Sequence, residues 1–508
     1  MVTITRVNLQ RCKFTSKKEK ETKKCREILS IFMDGCYFSE LYKSGKWDGY
    51  YKFFDTRDYF DFGLVDELIF HLQAEKIKYK IEERFEPIQK EFNLDERMRY
   101  YQKKAIKTLY KKGIGIMKVP PRGGKTFIAA EMMRISAGLY PDAKDKFLLV
   151  VDTQDLLKQA VRDISEYLGL PETEIGIINS TKQDFKKYNV GMAQTMVSTF
   201  YAKLSPLKDL EKTKERDRRN REKVRNLNKF LSTLNFLMID EVHDNSSEKR
   251  LNVYRKCKAV KNICAFSGTP FKQFTEIENL TIKGFFGGIC YDIEKKELQK
   301  AGFLTMDKVF LVHIDHGRFR NKRAEGYQEF LTQYIHKNDY RNSVLTNVIQ
   351  ACLICRWKTL VLFNSVEHGK VVRDIMNLPF ISGESEGAER DLQKNKFLKG
   401  RGKILLASNI FKKGITLPEA QVVIIADGGL EGANIIQKYS RVLGTSEGKT
   451  NSAIIDLMDS GVDYFADHSL NRLEVYNNDM EGRVEVYNDF EIPEMADSIN
   501  EWFGMNDE

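Results

Sequence analysis

The chain has 508 residues, 42% hydrophobic and 30% charged, which is a globular composition and excludes a disordered or fibrous protein. Its 82 Lys and Arg against 72 Asp and Glu leave a formal charge of +10, which favours a polyanionic partner. No apolar run approaches the ~18 residues of a membrane span, the first 30 residues hold no apolar signal core, and eight cysteines are too few for a disulfide scaffold. We therefore expect a soluble, reduced, cytoplasmic monomer (host cytoplasm if viral) with no membrane partner. At about 150 residues per domain, the length predicts about three domains.

Residues 1–92 are aromatic, basic and irregular, with Gly45, Trp47, Asp48, Gly49 and Gly63 marking turns. They are expected to form a small separate α/β domain. From residue 94 onward, apolar runs of strand length alternate with helical patterns. The runs are Gly115–Val119, Phe147–Val151, Phe236–Ile239, Ile263–Phe266, Leu360–Phe363, Ile404–Ala407, Val422–Ala426 and Ser452–Asp456. Short buried strands alternating with helices predict parallel sheets covered on both faces, with strands enough for two.

Two charge blocks interrupt this pattern. Residues 201–230 hold eleven Lys and Arg against five acids and predict a long polar helix from Leu207 to about Leu231. Such a helix is either a solvated face or an arm for phosphates, and the sequence leaves both readings open. From Gly461 to Glu508, 13 acids face two bases, so the rest of the chain carries +21. This stretch is expected to be an acidic extension. The pair Cys352 and Cys355 has no second pair to complete a zinc site and is expected to pack in a core.

The run Gly115–Val119 leads into Pro120-Pro121-Arg122-Gly123-Gly124-Lys125-Thr126, with a helix predicted from Phe127. Strand, glycine-rich loop and helix in this order make a phosphate-binding loop. Gly123 and Gly124 let backbone N–H groups approach phosphates, and the helix N-terminus adds positive partial charge. Lys125 would reach the β- and γ-phosphates of ATP and Thr126 its Mg2+. The first glycine of the general pattern is Val119 here. Further on, Leu237-Met238-Ile239 ends in Asp240-Glu241-Val242-His243. Carboxylates at the C-terminal end of a parallel strand sit where α/β sheets bind ligands. Asp240 would hold magnesium, and Glu241 would take a proton from the attacking water.

Gly123-Gly124-Lys125-Thr126 with Asp240-Glu241-Val242-His243 resembles the DExH branch of superfamily 2 helicases, and further motifs follow in family order. Arg99-Tyr100-Tyr101-Gln102 resembles the adenine-recognition motif. Thr153 to Gln159, and Ala193-Gln194-Thr195, resemble the strand-tracking motifs of the first lobe. Ser267-Gly268-Thr269 resembles the motif that couples hydrolysis to lobe movement. Phe363-Asn364-Ser365 and Ser408 through Pro418, including Gly414 and Thr416, resemble the second-lobe DNA and coupling motifs. Gln437-Lys438-Tyr439-Ser440-Arg441 resembles the arginine-finger motif. Gly45-Lys46-Trp47-Asp48-Gly49, Phe62-Gly63-Leu64-Val65, Val366-Glu367-His368-Gly369-Lys370 and Ile381-Ser382-Gly383-Glu384 are similar to UvsW-type phage recombination helicases.

The resemblance implies two RecA-like parallel-sheet lobes behind a small N-terminal α/β domain. The implied ranges are 1–92 for a domain gripping duplex or branched DNA, 93–272 and 273–460 for the lobes, and 461–508 for the acidic extension. It implies an ATP-dependent DNA helicase, with ATP and Mg2+ as cofactors, that unwinds and branch-migrates forked or four-way DNA. Lys125, Asp240, Glu241, Gln437 and Arg441 would act in hydrolysis, while Arg99 and Gln102 would bind the base. Thr153, Gln194, Thr195, Asn364, Ser365, Ser408 and Thr416 would contact DNA, and Ser267, Thr269 and Gly414 would couple the two. An RNA helicase, a duplex translocase and a catalytically weak binding module share these motifs. The sequence departs from the family at position 444, where a second finger arginine is replaced by Gly444, and at Ser440, where the motif usually has glycine.

Overall fold

The computed structural model describes residues 1–83, 91–139, 145–201, 210–271, 275–316, 326–408, 417, 419–429, 435, 439–440, 444–446, 448–461, 463–480 and 482–505. The chain divides into two compact units, one of Met1–Pro120 and Gly124–Glu294, the other of Pro121–Gly123 and Lys295–Glu508.

The first unit opens with β1 (Val2–Arg6) and β2 (Arg11–Thr15), paired antiparallel. Then come α1 (Glu19–Ile28), β3 (Ser30–Phe32), α2 (Glu40–Lys43), β4 (Tyr50–Lys52), β5 (Tyr59–Asp61), α3 (Val65–Ala74) and β6 (Tyr79–Glu83). Four strands form one sheet in the order β5-β2-β1-β6, and β3 with β4 forms a separate two-stranded antiparallel sheet. Alternation explains the sheet: Val2, Ile4, Cys12 and Phe14 point into one core with Leu64, Leu68 and Leu72.

This N-terminal domain is fastened to the rest of its unit. Arg255 Nη2 lies 2.8 Å from Asp61 Oδ2, and Arg11 Nη1 lies 3.0 Å from the other oxygen of the same carboxylate. Lys283 pairs with Glu67 at 3.2 Å. At Gly63 a Cβ would stand 1.7 Å from the Lys283 carbonyl oxygen, so only glycine permits this approach.

The lobe itself comprises α4 (Tyr100–Lys112), β7 (Ile114–Lys118), α5 (Lys125–Leu139), β8 (Lys146–Val151), α6 (Gln154–Leu168), β9 (Ile175–Ile178) and β10 (Tyr188–Met192). It continues through α7 (Ala193–Tyr201), α8 (Leu210–Ser232), β11 (Leu234–Ile239), α9 (Glu248–Tyr254), β12 (Asn262–Ser267), α10 (Glu276–Phe286) and β13 (Ile289–Asp292). The seven strands run parallel in the order β13-β7-β12-β11-β8-β10-β9. Their central members are near-continuous apolar runs because helices cover both faces. The lobe extends past residue 272, where the sequence placed its end, because β13 hydrogen-bonds to β7 as an edge strand.

The second unit begins with α11 (Lys295–Lys300), β14 (Met306–Asp315) and α12 (Tyr327–Phe330), which runs into a π-helical turn over Leu331–His336. It continues through α13 (Asp339–Ile354), β15 (Thr359–Phe363), α14 (Val366–Met376), β16 (Phe380–Ile381), α15 (Gly387–Leu398), β17 (Ile404–Ser408) and β18 (Val422–Ile425). Last come β19 (Asn451–Ser460), α16 (Asp463–Met480), β20 (Val484–Asn488) and α17 (Ile492–Phe503). Its sheet is also seven-stranded and parallel, in the order β16-β17-β15-β18-β19-β14-β20.

The acidic stretch is therefore not an extension. β20 is the edge strand of this sheet, and Ile492, Met495, Ala496 and Ile499 of α17 are buried in the core. Asp467, Glu474, Glu494, Asp497 and Glu501 are exposed, while Arg472 Nε pairs with buried Asp456 at 2.9 Å. Cys352 is buried in the same core, and Cys355 accepts a hydrogen bond from Asn500 Nδ2 at 3.8 Å.

One buried ion pair organises the strand ends of the second unit. Arg341 donates from Nε and Nη2 to the two oxygens of Asp459, at 2.7 and 3.0 Å, and from Nη1 to the Ala426 carbonyl at 3.0 Å. His316 Nε2 lies 2.9 Å from Asp459 Oδ1. Burial alone would raise the Asp459 pKa, but Arg341 and His316 more than offset it and hold the carboxyl at about 2. Asp459→Ala would strand the Arg341 cation in the core and should destabilise this unit by about 3–5 kcal/mol. A denaturant melt monitored on the second unit checks this, with Asp459→Asn expected to cost less because it still accepts a hydrogen bond.

Candidate active site

In a parallel sheet all strand C-termini lie on one edge, and the loops leaving that edge meet. In the first lobe that edge collects the loop after β7, the Asp240-Glu241 turn after β11, and the Ser267-Gly268-Thr269 turn after β12. The Val119 amide donates to the Ser267 carbonyl at 3.1 Å, and the Asp240 amide to the Val150 carbonyl at 2.9 Å, which fixes these loops to their neighbouring strands.

α5 starts at Lys125, two residues earlier than the sequence predicts. The Lys125 ammonium points back across the edge to Glu241 Oε1 at 3.1 Å and Asp240 Oδ1 at 4.0 Å. Burial disfavours the lysine charge, but the two carboxylates more than offset it and raise its pKa. Burial also pushes both acids up. For Glu241 the contact with Lys125, helped by His243, reverses the sign and the pKa falls. Asp240 is more distant from the ammonium and beside a second carboxylate, and its pKa stays raised.

The backbone is strained here. Glu241 has φ 47°, one of the six non-glycine residues with positive φ among those described. Such conformations cost about 1–3 kcal/mol each and gather where surrounding structure enforces them. The Glu241 turn is held by its own amide, which donates to Asp240 Oδ1 at 3.0 Å. Asn245 Nδ2 also donates to the Glu241 carbonyl, at 3.2 Å.

Gln102 reaches the phosphate loop from α4. It is buried, and its Oε1 accepts from the Arg99 amide at 2.9 Å. Its Nε2 passes so close to Gly124 that a Cβ there would sit 2.5 Å away. Arg99 Nη1 donates to the Tyr101 hydroxyl at 3.3 Å. His243 Nδ1 lies 3.0 Å from Ser267 Oγ, and that oxygen accepts from the Thr269 amide at 3.0 Å. The His243–Ser267 contact joins two motifs 24 residues apart.

Thr126 and Asp240 line one small cavity together with Lys125 and Gln159. One hydroxyl and one carboxylate suit Mg2+, which keeps several waters and takes further oxygens from phosphates. Among the described residues no group of three or more His, Cys, Asp or Glu forms a closed metal cage.

The remaining expected positions divide by environment. Gln194 is exposed at the start of α7, while Thr195 is buried beside it. Thr153 and Ser365 are helix N-caps, accepting from the Leu156 and His368 amides at 3.3 Å each. Ser408 is buried at the end of β17. Asn364 follows β15, and its amide donates to Asp427 Oδ1 at 2.5 Å. Sequence reasoning missed Asp427, although a carboxylate just past β18 is the same signal that marked Asp240. Gly414, Thr416, Gln437 and Arg441 lie outside the described residues. At Gly444, the carbonyl accepts from Lys449 Nζ at 3.2 Å, and the same ammonium reaches the Ala420 carbonyl at 2.6 Å.

Residues 95–272 match the family model of the type III restriction enzyme res subunit, and residues 341–443 match that of the helicase conserved C-terminal domain. The chain belongs to superfamily 2 of the helicases. It is 23% identical over 494 residues to the ATP-dependent DNA helicase uvsW of Enterobacteria phage T4, across 89% of this chain and 92% of that protein. It is 22% identical over 492 residues to the DNA 3'-5' translocase XPB2 of Sulfurisphaera tokodaii, across 87% and 98%. Among solved structures, S. cerevisiae Dbp5 bound to RNA and ADP BeF3 has a TM-score of 0.53 at 14% identity, over 80% of this chain and 93% of that one. That is a likeness of fold.

Lys125, Asp240, Glu241 and Ser267 fall inside the first matched segment of this helicase, and Asn364 and Ser408 inside the second. The contact of Gln102 with the phosphate loop gives a test. Gly124→Ala forces a side chain into a left-handed position (φ 77°) and against Gln102. That strain of about 1–2 kcal/mol should lower the thermal melt, and the displacement of Gln102 should weaken ATP binding, read by isothermal titration.

Proposed function

We propose that this helicase is an ATP-dependent enzyme of DNA metabolism that unwinds and branch-migrates forked or four-way DNA. The observation that carries the reading is the Lys125–Glu241–Asp240 cluster at the strand edge of a superfamily 2 lobe. The likeness to a phage DNA helicase along most of both chains supports DNA as the polymer.

The cluster suggests how the site works. Without nucleotide, Lys125 neutralises Glu241. The phosphates of ATP would compete for that ammonium, draw it away and leave the Glu241 carboxylate able to accept a proton from the attacking water. Thr126 and Asp240 would hold Mg2+, which neutralises phosphate charge when bound. Arg99 and Gln102 would take the base. His243 would pass the state of Glu241 to Ser267 and Thr269. Gln437 and Arg441 would complete the phosphate surroundings, and Gly414 would share in the coupling.

DNA would run along the strand-end edges, against Gln194 in the first lobe and Asn364, Ser365 and Thr416 in the second. Thr153, Thr195 and Ser408 would act there mainly by shaping the backbone. Contacts of this kind go to phosphates and ignore sequence.

A second reading, a duplex translocase that moves without separating strands, is favoured by the likeness to XPB2. ATP turnover measured with no polymer, RNA, linear duplex and a four-way junction, beside a strand-displacement assay, separates the readings. We expect the junction to stimulate turnover most and the strands to part. Stimulation by RNA alone would overturn the DNA assignment, and stimulation by duplex without displacement would favour the translocase. Glu241→Gln should lower stimulated turnover by about 10²–10⁴-fold while ATP still binds, as read by single-turnover hydrolysis and nucleotide titration. Wild-type turnover in this variant would refute the assigned base.

A further inference from the structure

Helix α8 lies outside every motif considered so far, and its surface is organised. It is the 23-residue segment Leu210–Ser232 between α7, which starts at the Gln194–Thr195 motif, and β11, which ends at Asp240–Glu241. One stripe is docked: Leu227 and Leu231 are fully buried, Val224 is half-buried, and Phe230 stacks on Phe185 with ring centroids 4.6 Å apart. This fixes the helix to the lobe and fixes which face looks outward.

The outward face carries Lys214, Arg218, Arg221, Arg225 and Lys229, all exposed. Their spacings of four, three, four and four residues place them in one line along a helix of 3.6 residues per turn. At 1.5 Å per residue the line is about 22 Å long. None of the five side chains has an ion-pair or hydrogen-bond partner among the described residues. The acids nearby are committed elsewhere: Glu215 pairs with Arg219 and Asp217 with Arg216. Glu222 borders the line four residues after Arg218, and Asp217 lies four before Arg221 but is paired with Arg216.

Glu215–Arg219, Asp217–Arg221 and Arg218–Glu222 are opposite charges at i,i+4. Along the line itself Lys214–Arg218, Arg221–Arg225 and Arg225–Lys229 are like-charge pairs at that spacing, each of which destabilises the helix. The arrangement gains from a row of anions alongside. Phosphates of one duplex strand recur every 3.4 Å along the axis, so the line spans about six of them.

We propose that α8 is a phosphate-backbone clamp: a docked helix whose Lys214–Lys229 line binds a nucleic-acid strand independently of sequence, outside the motif-lined edge. The proposal rests on the nucleic-acid reading above and adds a contact surface to it.

The experiment measures duplex DNA binding by fluorescence anisotropy from about 50 to 200 mM salt on the full chain. Each lost phosphate contact lowers the slope of log K against log salt by about 0.9 on duplex. The triple variant Arg218→Gln, Arg221→Gln, Arg225→Gln should therefore lose about 2.7 in slope. The charge-preserving triple to Lys should keep the wild-type slope. A control removing three exposed cations of α4, Lys104→Gln, Lys107→Gln, Lys111→Gln, should change it much less.

A slope unchanged in the α8 triple, or reduced equally in the control, overturns the clamp while wild-type binding upholds the nucleic-acid reading. Wild type that binds neither DNA nor RNA overturns both, and an acidic protein would then be the partner to seek. Thermal melts of all variants verify that exposed substitutions leave the fold intact.

Discussion

A single ammonium shared by two carboxylates governs the first lobe. Lys125 comes from the start of a helix, and Asp240 and Glu241 from the end of a strand 115 residues later. They meet because β7, β12 and β11 are adjacent and parallel, so their C-terminal ends share an edge. Slippage in that pairing would leave buried like charges without their cation, at a cost far above that of a broken surface pair. Hydrogen bonds to Asp240 and from Asn245 keep Glu241 beside that contact in a left-handed backbone conformation that few residues tolerate. The arrangement is self-neutralised and strained at once, so a polyanion that attracts Lys125 finds a site already biased to change.

The second unit solves the equivalent problem with the signs reversed. There a carboxylate, Asp459, is held between the Arg341 guanidinium and the His316 ring. Arg341 also grips the Ala426 carbonyl, immediately before Asp427, whose side chain holds the Asn364 amide. The buried pair thus reaches the β15 loop through β18. A loop positioned by this network presents Asn364 and Ser365 in one geometry. Lys449 plays a smaller version of this part by joining the Ala420 and Gly444 carbonyls.

Legibility in the sequence followed burial. The eight strands read as apolar runs are central or near-central members of the two sheets, buried on both faces. β14 was hidden because Asp307 and Lys308 interrupt it, although Asp307 is fully buried and paired with Lys295. β20 was hidden by Glu485 on an edge strand, where one side of each residue faces water. In the stretch whose acidic composition suggested an extension, Glu494, Asp497 and Glu501 face water from the same helix that buries Ile492, Met495 and Ile499. In the site, the positions of Lys125, Asp240 and Glu241 at the strand-end edge were readable from spacing. What spacing does not carry is the meeting of His243 with Ser267, or of Gln102 with Gly124, because these depend on loop paths. Thr153 and Ser365 show the limit from the other side, since a motif position can serve the backbone through an N-cap.

The attachment of the N-terminal domain bears on how any force would be transmitted. Asp61 is bound by Arg255 of the lobe and by Arg11 of its own sheet, so one carboxylate belongs to both structures. Gly63 lies against the backbone of α10 with no room for a methyl group, and Leu9 is buried in the lobe's own core cluster. A domain on a flexible linker would need none of these. Interlocking of backbone, apolar and ionic contacts over a short stretch makes the domain and the first lobe one body. Nucleic acid held by the N-terminal domain would therefore move with the elements that carry Lys125 and Glu241.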